Sequence, residues 1–344
     1  MIMKKYLIFA TVATFLVSCG GNEKVEEVKS VEKTEDYAFT ELDASARKIF
    51  GALPDVKVDV NDPLIKLGKA LYFDKRLSKD NTQSCNTCHN LSTFGVDNNS
   101  FSAGNDGGLG GRNSPTTLNA AMHFAQFWDG REPNVEAQAG GPILNPVEMA
   151  MPNEKAVIDR LSQIDEYKVM FAEAFPESSN PITYDNLKMA IGAFERLLIT
   201  PTKFDRYMNG DNEALSAKEK RGMKLFMDAG CITCHTGPLL GGNMYQKFGL
   251  VNDYWEYTKS EKIDKGRFDV TGKESDMYVF KVPSLRNISK TAPYFHDGSI
   301  ASLNDAIQIM GKTQLNRELS VQEVSGIAFF LETLTGDVDT ELKQ

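Results

Sequence analysis

The chain has 344 residues, 41% of them hydrophobic and 25% charged, with a formal net charge of −9. That composition is ordinary for a globular protein, and the length suits two modest domains. The acidic balance excludes a nucleic-acid partner, because phosphate recognition needs a basic face.

The N-terminus comes first. Lys4 and Lys5 precede an apolar run from Tyr6 to Val17, too short to span a bilayer comfortably, which reads as the h-region of a signal peptide over residues 1–18. It ends Leu16-Val17-Ser18-Cys19-Gly20, similar to the lipobox of bacterial lipoproteins. On that reading cleavage leaves Cys19 as an acylated N-terminus that anchors the chain to the periplasmic side of a bacterial membrane. This accounts for the odd fifth cysteine; the other reading is a plain cleavable signal with an incidental cysteine. Loss of Lys4 and Lys5 takes the charge from −9 to −11. Residues 22–36 are rich in Glu, Lys and Val without Gly or Pro, and a flexible tether is expected over residues 19–40.

Beyond the tether, Asp62-Pro63 opens a helical pattern carrying Leu64, Ile65, Leu67, Gly68 and Leu71. Between His89 and Thr116 the chain is rich in Gly, Asn and Ser. This predicts a long irregular loop, and such loops are usually functional. Thr183 precedes a helical run with Leu187, Ala190, Ile191, Phe194 and Leu198. Ser216 with Glu219, Ser302 with Asp305, and Ser320 with Glu323 fit the capping-box spacing, and Gly336 supplies a stop. No alternating strand pattern of useful length occurs, so the expected class is all-α with long irregular loops.

The motif with chemistry in it occurs twice: Cys85-Asn86-Thr87-Cys88-His89 and Cys231-Ile232-Thr233-Cys234-His235, 146 residues apart. Two cysteines followed at once by histidine attach a c-type haem, with the imidazole as proximal iron ligand. Half-sites of a structural zinc or vicinal redox disulfides would use the cysteines alone and leave both histidines as coincidence. The duplication extends further. Gly68-Lys69-Ala70-Leu71-Tyr72-Phe73 and Gly222-Met223-Lys224-Leu225-Phe226 precede the two motifs. Ser114-Pro115-Thr116-Thr117-Leu118-Asn119 resembles Val282-Pro283-Ser284-Leu285-Arg286-Asn287, and Phe127-Trp128-Asp129-Gly130 resembles Phe295-His296-Asp297-Gly298. Pro115 to Gly130 and Pro283 to Gly298 are both 15 residues, which argues for duplicated haem domains, 41–203 and 204–344.

With these landmarks the chain resembles the bacterial di-haem cytochrome c peroxidase family from about Asp62 to Gly336. The segments that carry the likeness include Arg112-Asn113-Ser114-Pro115-Thr116, Ala125 to Arg131, Val147-Glu148-Met149, Thr291 to His296, and Ile309-Met310-Gly311. The resemblance implies two cytochrome c-like domains packed face to face, each with a covalent haem c. It implies reduction of hydrogen peroxide to water with electrons from a small cytochrome c or copper protein. The C-terminal haem, on Cys231, Cys234, His235 and a distal Met310, would accept electrons, since thioether ligation raises the potential. The N-terminal haem, on Cys85, Cys88 and His89, would be peroxidatic, with Glu148 and Gln138 in its distal pocket and Trp128 between the haems. A carboxylate there can take a proton from peroxide and return one to the leaving oxygen. The resemblance also implies a calcium ion held by Asn113, Thr291 and Pro293, a plausible oxygen-rich site, and members are commonly homodimers.

The sequence departs from the family at one place. Many members close the resting peroxidatic iron with a histidine in the Gly-rich loop, and a gapless alignment puts Asn105 there. No histidine lies between His89 and His123; His123 is most simply a packed or surface residue, and Met149 and Met151 are weaker candidates for a sixth ligand. This predicts a haem open at rest. Two other functions compete: a di-haem oxidase acting on a partner protein, against which Met310 speaks, and a non-enzymatic di-haem electron carrier, which would gain nothing from Glu148 and Gln138 in a pocket.

Overall fold

The carboxylate of Asp62 accepts from the backbone N–H groups of Leu64 and Ile65 at 2.8 and 3.3 Å, and Pro63 sits at the first helical position. Both features favour a helix start, and α1 (Pro63–Phe73) follows, burying Leu67, Gly68, Leu71 and Tyr72. After the short turn α2 (Cys85–Cys88) come α3 (Val135–Leu144), α4 (Glu154–Leu161), α5 (Asp165–Ala174), α6 (Tyr184–Glu195) and α7 (Lys203–Met208). The remaining elements are α8 (Ala217–Asp228), β1 (Tyr245–Lys247), α9 (Tyr254–Thr258), α10 (Phe268–Thr271), β2 (Val279–Lys281), α11 (Leu303–Leu315) and α12 (Val321–Leu331). The computed structural model describes residues 39–57 and 59–343. The signal peptide, Cys19 and the tether up to residue 38 lie outside the described residues; residues 39–43 are helical. From Ala44 onward the chain forms one compact body.

The mostly helical class agrees with the sequence reading. The strands are a three-residue antiparallel ribbon, Tyr245 opposite Lys281 and Lys247 opposite Val279, too short for an alternating pattern to show. Apart from a 3-10 turn (Leu91–Thr93) and one bridge between Ala103 and Leu109, the stretch from His89 to Thr116 is irregular, as expected. Ser216 and Ser320 form full reciprocal capping boxes, whereas Ser302 supplies only the serine half, accepting from Asp305 N. The Gly336 stop needs correction. Helix α12 ends at Leu331 and passes into a 3-10 turn (Glu332–Leu334). Gly336 is instead required by close approach: a Cβ there would lie 2.5 Å from the Pro201 carbonyl oxygen.

The internal repeat is visible in the backbone. Helix α1 crosses α6 at Gly68, where a Cβ would lie 1.9 Å from the Ala190 carbonyl oxygen; α8 crosses α12 at Gly222, where it would lie 2.3 Å from that of Gly326. Both crossings depend on the missing side chain. Asn119 and Asn287 both adopt the left-handed conformation (φ 61°), as do Phe127 and Phe295 and the glycines Gly130 and Gly298. Each pair is 168 residues apart. The haem motifs are 146 apart, so the second copy carries 22 more residues between its histidine and its asparagine; that stretch contains the ribbon, α9 and α10.

The two copies meet at one hydroxyl. Thr200 Oγ1 accepts from Asn119 Nδ2 at 2.8 Å and from Asn287 Nδ2 at 3.0 Å, and all three residues are fully buried. Replacing Thr200 by Val keeps the shape and strands two amide donors. Each orphaned buried group costs about 1–3 kcal/mol, so Thr200→Val should lower unfolding free energy by about 2–4 kcal/mol. Thr200→Ser should lose far less. Denaturant midpoints of the haem-loaded protein check this, and equal midpoints for the two variants would contradict it.

Candidate functional site

Both haem motifs close the same turn, with His89 N donating to Cys85 O at 2.9 Å and His235 N to Cys231 O at 3.0 Å. In the first, Ser84 N donates to Thr87 Oγ1 and fixes the start of α2, while Tyr72 Oη donates to the His89 carbonyl at 2.6 Å. No disulfide joins the four motif cysteines. Among the described residues no group of three or more His, Cys, Asp or Glu side chains converges as a metal site.

Burial pushes both imidazoles below their ordinary value, with backbone acceptors at Gly95 and Pro115 opposing this for His89 and Leu240 for His235. Neutral imidazole is the ligand form. His235 Nδ1 donates to the Leu240 carbonyl at 2.8 Å, which sets the tautomer and leaves Nε2 for iron.

Cys85, Cys88 and His89 line a cavity of about 560 Å³. Gln138, Pro142, Glu148, Met149, Phe127, Trp128 and Arg131 line it too. The dimensions and the donor set fit a covalently attached haem. Asn134 caps α3, accepting from Ala137 N, which places Gln138 one turn in. At the other end of α3 Asn145 Nδ2 donates to Glu148 Oε1 at 2.9 Å. Burial pushes the Glu148 carboxyl above its usual range, against Arg131 and Asn145. A half-buried acid aimed by an amide can exchange protons with a ligand in the cavity.

Asn105 is not in the cavity wall. Its Oδ1 accepts from Asp80 N and Thr82 Oγ1, its Nδ2 donates to Asp80 Oδ2 and Asp106 Oδ1, and its backbone N donates to Glu148 O at 2.6 Å. The side chain faces outward. Met149 and Met151 are buried in the core with Leu67, Leu71 and Ile143, although Met149 also reaches the cavity wall.

Trp128 borders the cavity and packs against the cluster of Phe248, Tyr254 and Phe280, as does Met310 of α11. Trp128 Nε1 donates to Asn113 O at 2.9 Å. The end of α11 reaches the second haem motif, where a Cβ on Gly230 would lie 3.6 Å from Leu315 Cδ2. Asn113 Nδ2 donates to Asn99 O, and Asn98 Nδ2 donates to Ala292 O. That short loop therefore draws Asn113 and the Thr291–Pro293 segment into one oxygen-rich neighbourhood.

Several side chains around the cavity were given no functional role by the sequence. Arg112 forks onto Asp264 at 2.7 and 2.9 Å and reaches Asp129 at 2.6 Å, and Arg131 shares Asp129. Lys281 Nζ lies 2.7 Å from His123 Nδ1 in the same cavity. Glu195 also lines it; burial pushes this carboxyl up to about 8, with Glu136 adding and Arg196 opposing. Its signal was available, an acid four residues after Ile191 on the apolar stripe of α6. Nothing local marks Lys281 or His123.

Comparison with known proteins agrees with this geometry. A sequence profile of di-haem cytochrome c peroxidase matches residues 62–213. The chain is 48% identical to a cytochrome c551 peroxidase of Nitrosomonas europaea, over 80% of this chain and 81% of that one. It is 44% identical to a cytochrome c551 peroxidase of Pseudomonas aeruginosa, over 86% of each. Among solved structures it is similar to a MauG-like protein associated with microbial copper homeostasis, with a TM-score of 0.74 and 29% identity over 85% of this chain and 96% of that one. With two haem-attachment motifs and a haem-sized cavity behind one of them, the chain belongs to the di-haem cytochrome c peroxidase family.

Proposed function

We propose that the chain reduces hydrogen peroxide to water at the haem on Cys85, Cys88 and His89, drawing two electrons from a small donor protein through the haem on Cys231, Cys234 and His235. Bound haem supplies the redox-active iron at which peroxide is reduced. Glu148 would take a proton from one peroxide oxygen and return it to the other, which leaves as water; the remaining oxygen becomes the second water with the two donor electrons and two protons from solvent. Gln138 hydrogen-bonds the peroxide and fixes its orientation. Met310 would help hold the electron-accepting haem, and Trp128 bridges the cavity and the aromatic cluster in which Met310 packs, a short route for electrons. Asn113, Thr291 and Pro293 would hold a calcium ion. The N-terminal lipid on Cys19 keeps the enzyme on the periplasmic side of the membrane, and the domains divide near residue 203 and face each other.

Glu148→Gln removes the proton carrier and keeps the hydrogen bond from Asn145. General acid–base catalysis contributes about 10²–10⁴-fold, so kcat for peroxide should fall by that order with both haems attached. Because burial raises the Glu148 pKa, the basic form accumulates only above the ordinary glutamate value of about 4.3. The acid limb of kcat/KM should therefore lie above that pH and disappear in the variant. A variant with wild-type kcat would remove Glu148 from this role.

The resting peroxidatic haem is open. The observation that supports this is the outward-facing Asn105, held by Asp80, Thr82 and Asp106; the other histidine on the cavity wall, His123, is engaged by Lys281. Fully ferric protein should turn over peroxide from the first cycle, at the same rate as protein with its acceptor haem pre-reduced. A lag in the ferric sample, cured by pre-reduction, would mean that another side chain closes the iron.

A further inference from the structure

Lys281 is 6% exposed, buried on the short β2 strand with its backbone N donating to the Trp128 carbonyl at 2.8 Å. Its ammonium meets an imidazole, His123 Nδ1 at 2.7 Å. A buried cation normally has a carboxylate partner, because an uncompensated charge costs several kcal/mol. The partly buried Arg112 on this cavity wall has two, Asp264 and Asp129. Asp129 is the acid whose charge favours protonated Lys281, but its oxygens are taken by Arg112 and Arg131. Arg267 and Tyr245, on the neighbouring segments, bind each other and the Asp129 and Gly130 carbonyls. Among the described residues, no ion pair with an acid is formed by Lys281.

His123 has the complementary deficit. Its Nδ1 accepts from Lys281, so Nε2 carries the proton, and Nε2 is buried with no hydrogen-bond partner. The ring is held in place by Gly242, where a Cβ would lie 2.6 Å from His123 Cδ2. Both residues line the cavity. With Nδ1 taken by Lys281 the Nε2–H points away from the ammonium, so the two do not face one acceptor; the buried ammonium, oriented by His123 and short of an acid, is the donor to a carboxylate.

We propose that Lys281, oriented by His123, receives a propionate of the haem held by Cys85, Cys88 and His89. Without that carboxylate, burial pulls Lys281 down to about 7 and His123 well below its usual value. With it, the opposite charge keeps Lys281 an ammonium and the propionate ionised. Lys281 neutralises one propionate charge next to Trp128, and so fixes both the seat and the potential of this haem.

This rests on the reading that a haem fills the cavity, and haem counting separates the two. Pyridine haemochrome and intact mass of the mature protein should give two covalent haems; fewer than two would overturn both readings. Given two haems, resonance Raman propionate-bending bands are recorded from pH 6 to 9. One band of the wild type should stay fixed, because a paired propionate remains ionised throughout; bands that all titrate in this range would overturn the pair. In Lys281→Met that band should shift and the potential of this haem should become pH-dependent, by up to a tenfold change in its reduction equilibrium per pH unit. Lys281→Arg, which keeps the charge, should restore both. An unshifted band and an unchanged potential profile in Lys281→Met would overturn the proposal.

Discussion

One buried oxygen ties the two copies of the repeat together. Thr200 Oγ1 accepts amide hydrogens from Asn119 and Asn287, and Asn119 Oδ1 accepts the Thr200 backbone N–H in return. Five residues on, Asp205 repeats the idea with charge. It takes the two-pronged guanidinium of Arg286 at 2.8 Å on each oxygen and also accepts from Leu53 N and Thr202 N. A buried ion pair is weak evidence of stability by itself, since desolvation opposes the attraction. Here both carboxylate oxygens are multiply satisfied, and the cost of losing either partner falls on a fully enclosed charge. The segment from Thr200 to Asp205 thereby holds Asn119, Arg286 and Asn287 in fixed relation.

The site depends on that relation. Asn119 opens the turn that leads to Trp128, and Asn287 opens the turn that leads to Phe295 and His296. Trp128 and His296 end with ring centroids 6.4 Å apart, and His296 stacks on Phe280 at 4.4 Å. Electron transfer and peroxide positioning both need groups held to within fractions of an ångström. Satisfied polar networks at the repeat junction supply that rigidity better than an apolar contact, which tolerates sliding.

What the sequence revealed was local or duplicated. Asp62-Pro63, Ser216 with Glu219 and Ser320 with Glu323 act within four residues, and each forms as expected. The two haem motifs and the repeated asparagines were legible because the same pattern occurs twice. Pairings across long stretches of chain were not. Lys281 meets His123 from 158 residues away, and Arg112 meets Asp264 from 152. Gly336 was legible as a glycine that matters, but its reason is the Thr200 and Pro201 carbonyls and not a helix end. Asn105 was found by its place in a family pattern, yet only the structure tells that its amide faces outward.

That orientation also decides why an asparagine cannot simply stand in for a histidine. To reach the iron, residue 105 would have to release four side-chain hydrogen bonds and the backbone bond to Glu148 O. At about 0.5–1.5 kcal/mol net each, the cost is on the order of a few kcal/mol. An imidazole could offset this by ligation, whereas an amide is a poor ligand for ferric iron. The backbone bond has a second effect. Since Asn105 N holds the Glu148 carbonyl, pulling the loop inward would also disturb the turn that aims the Glu148 carboxyl. The interactions that keep Asn105 facing outward therefore also hold the turn that carries Glu148, so both side chains depend on one loop conformation.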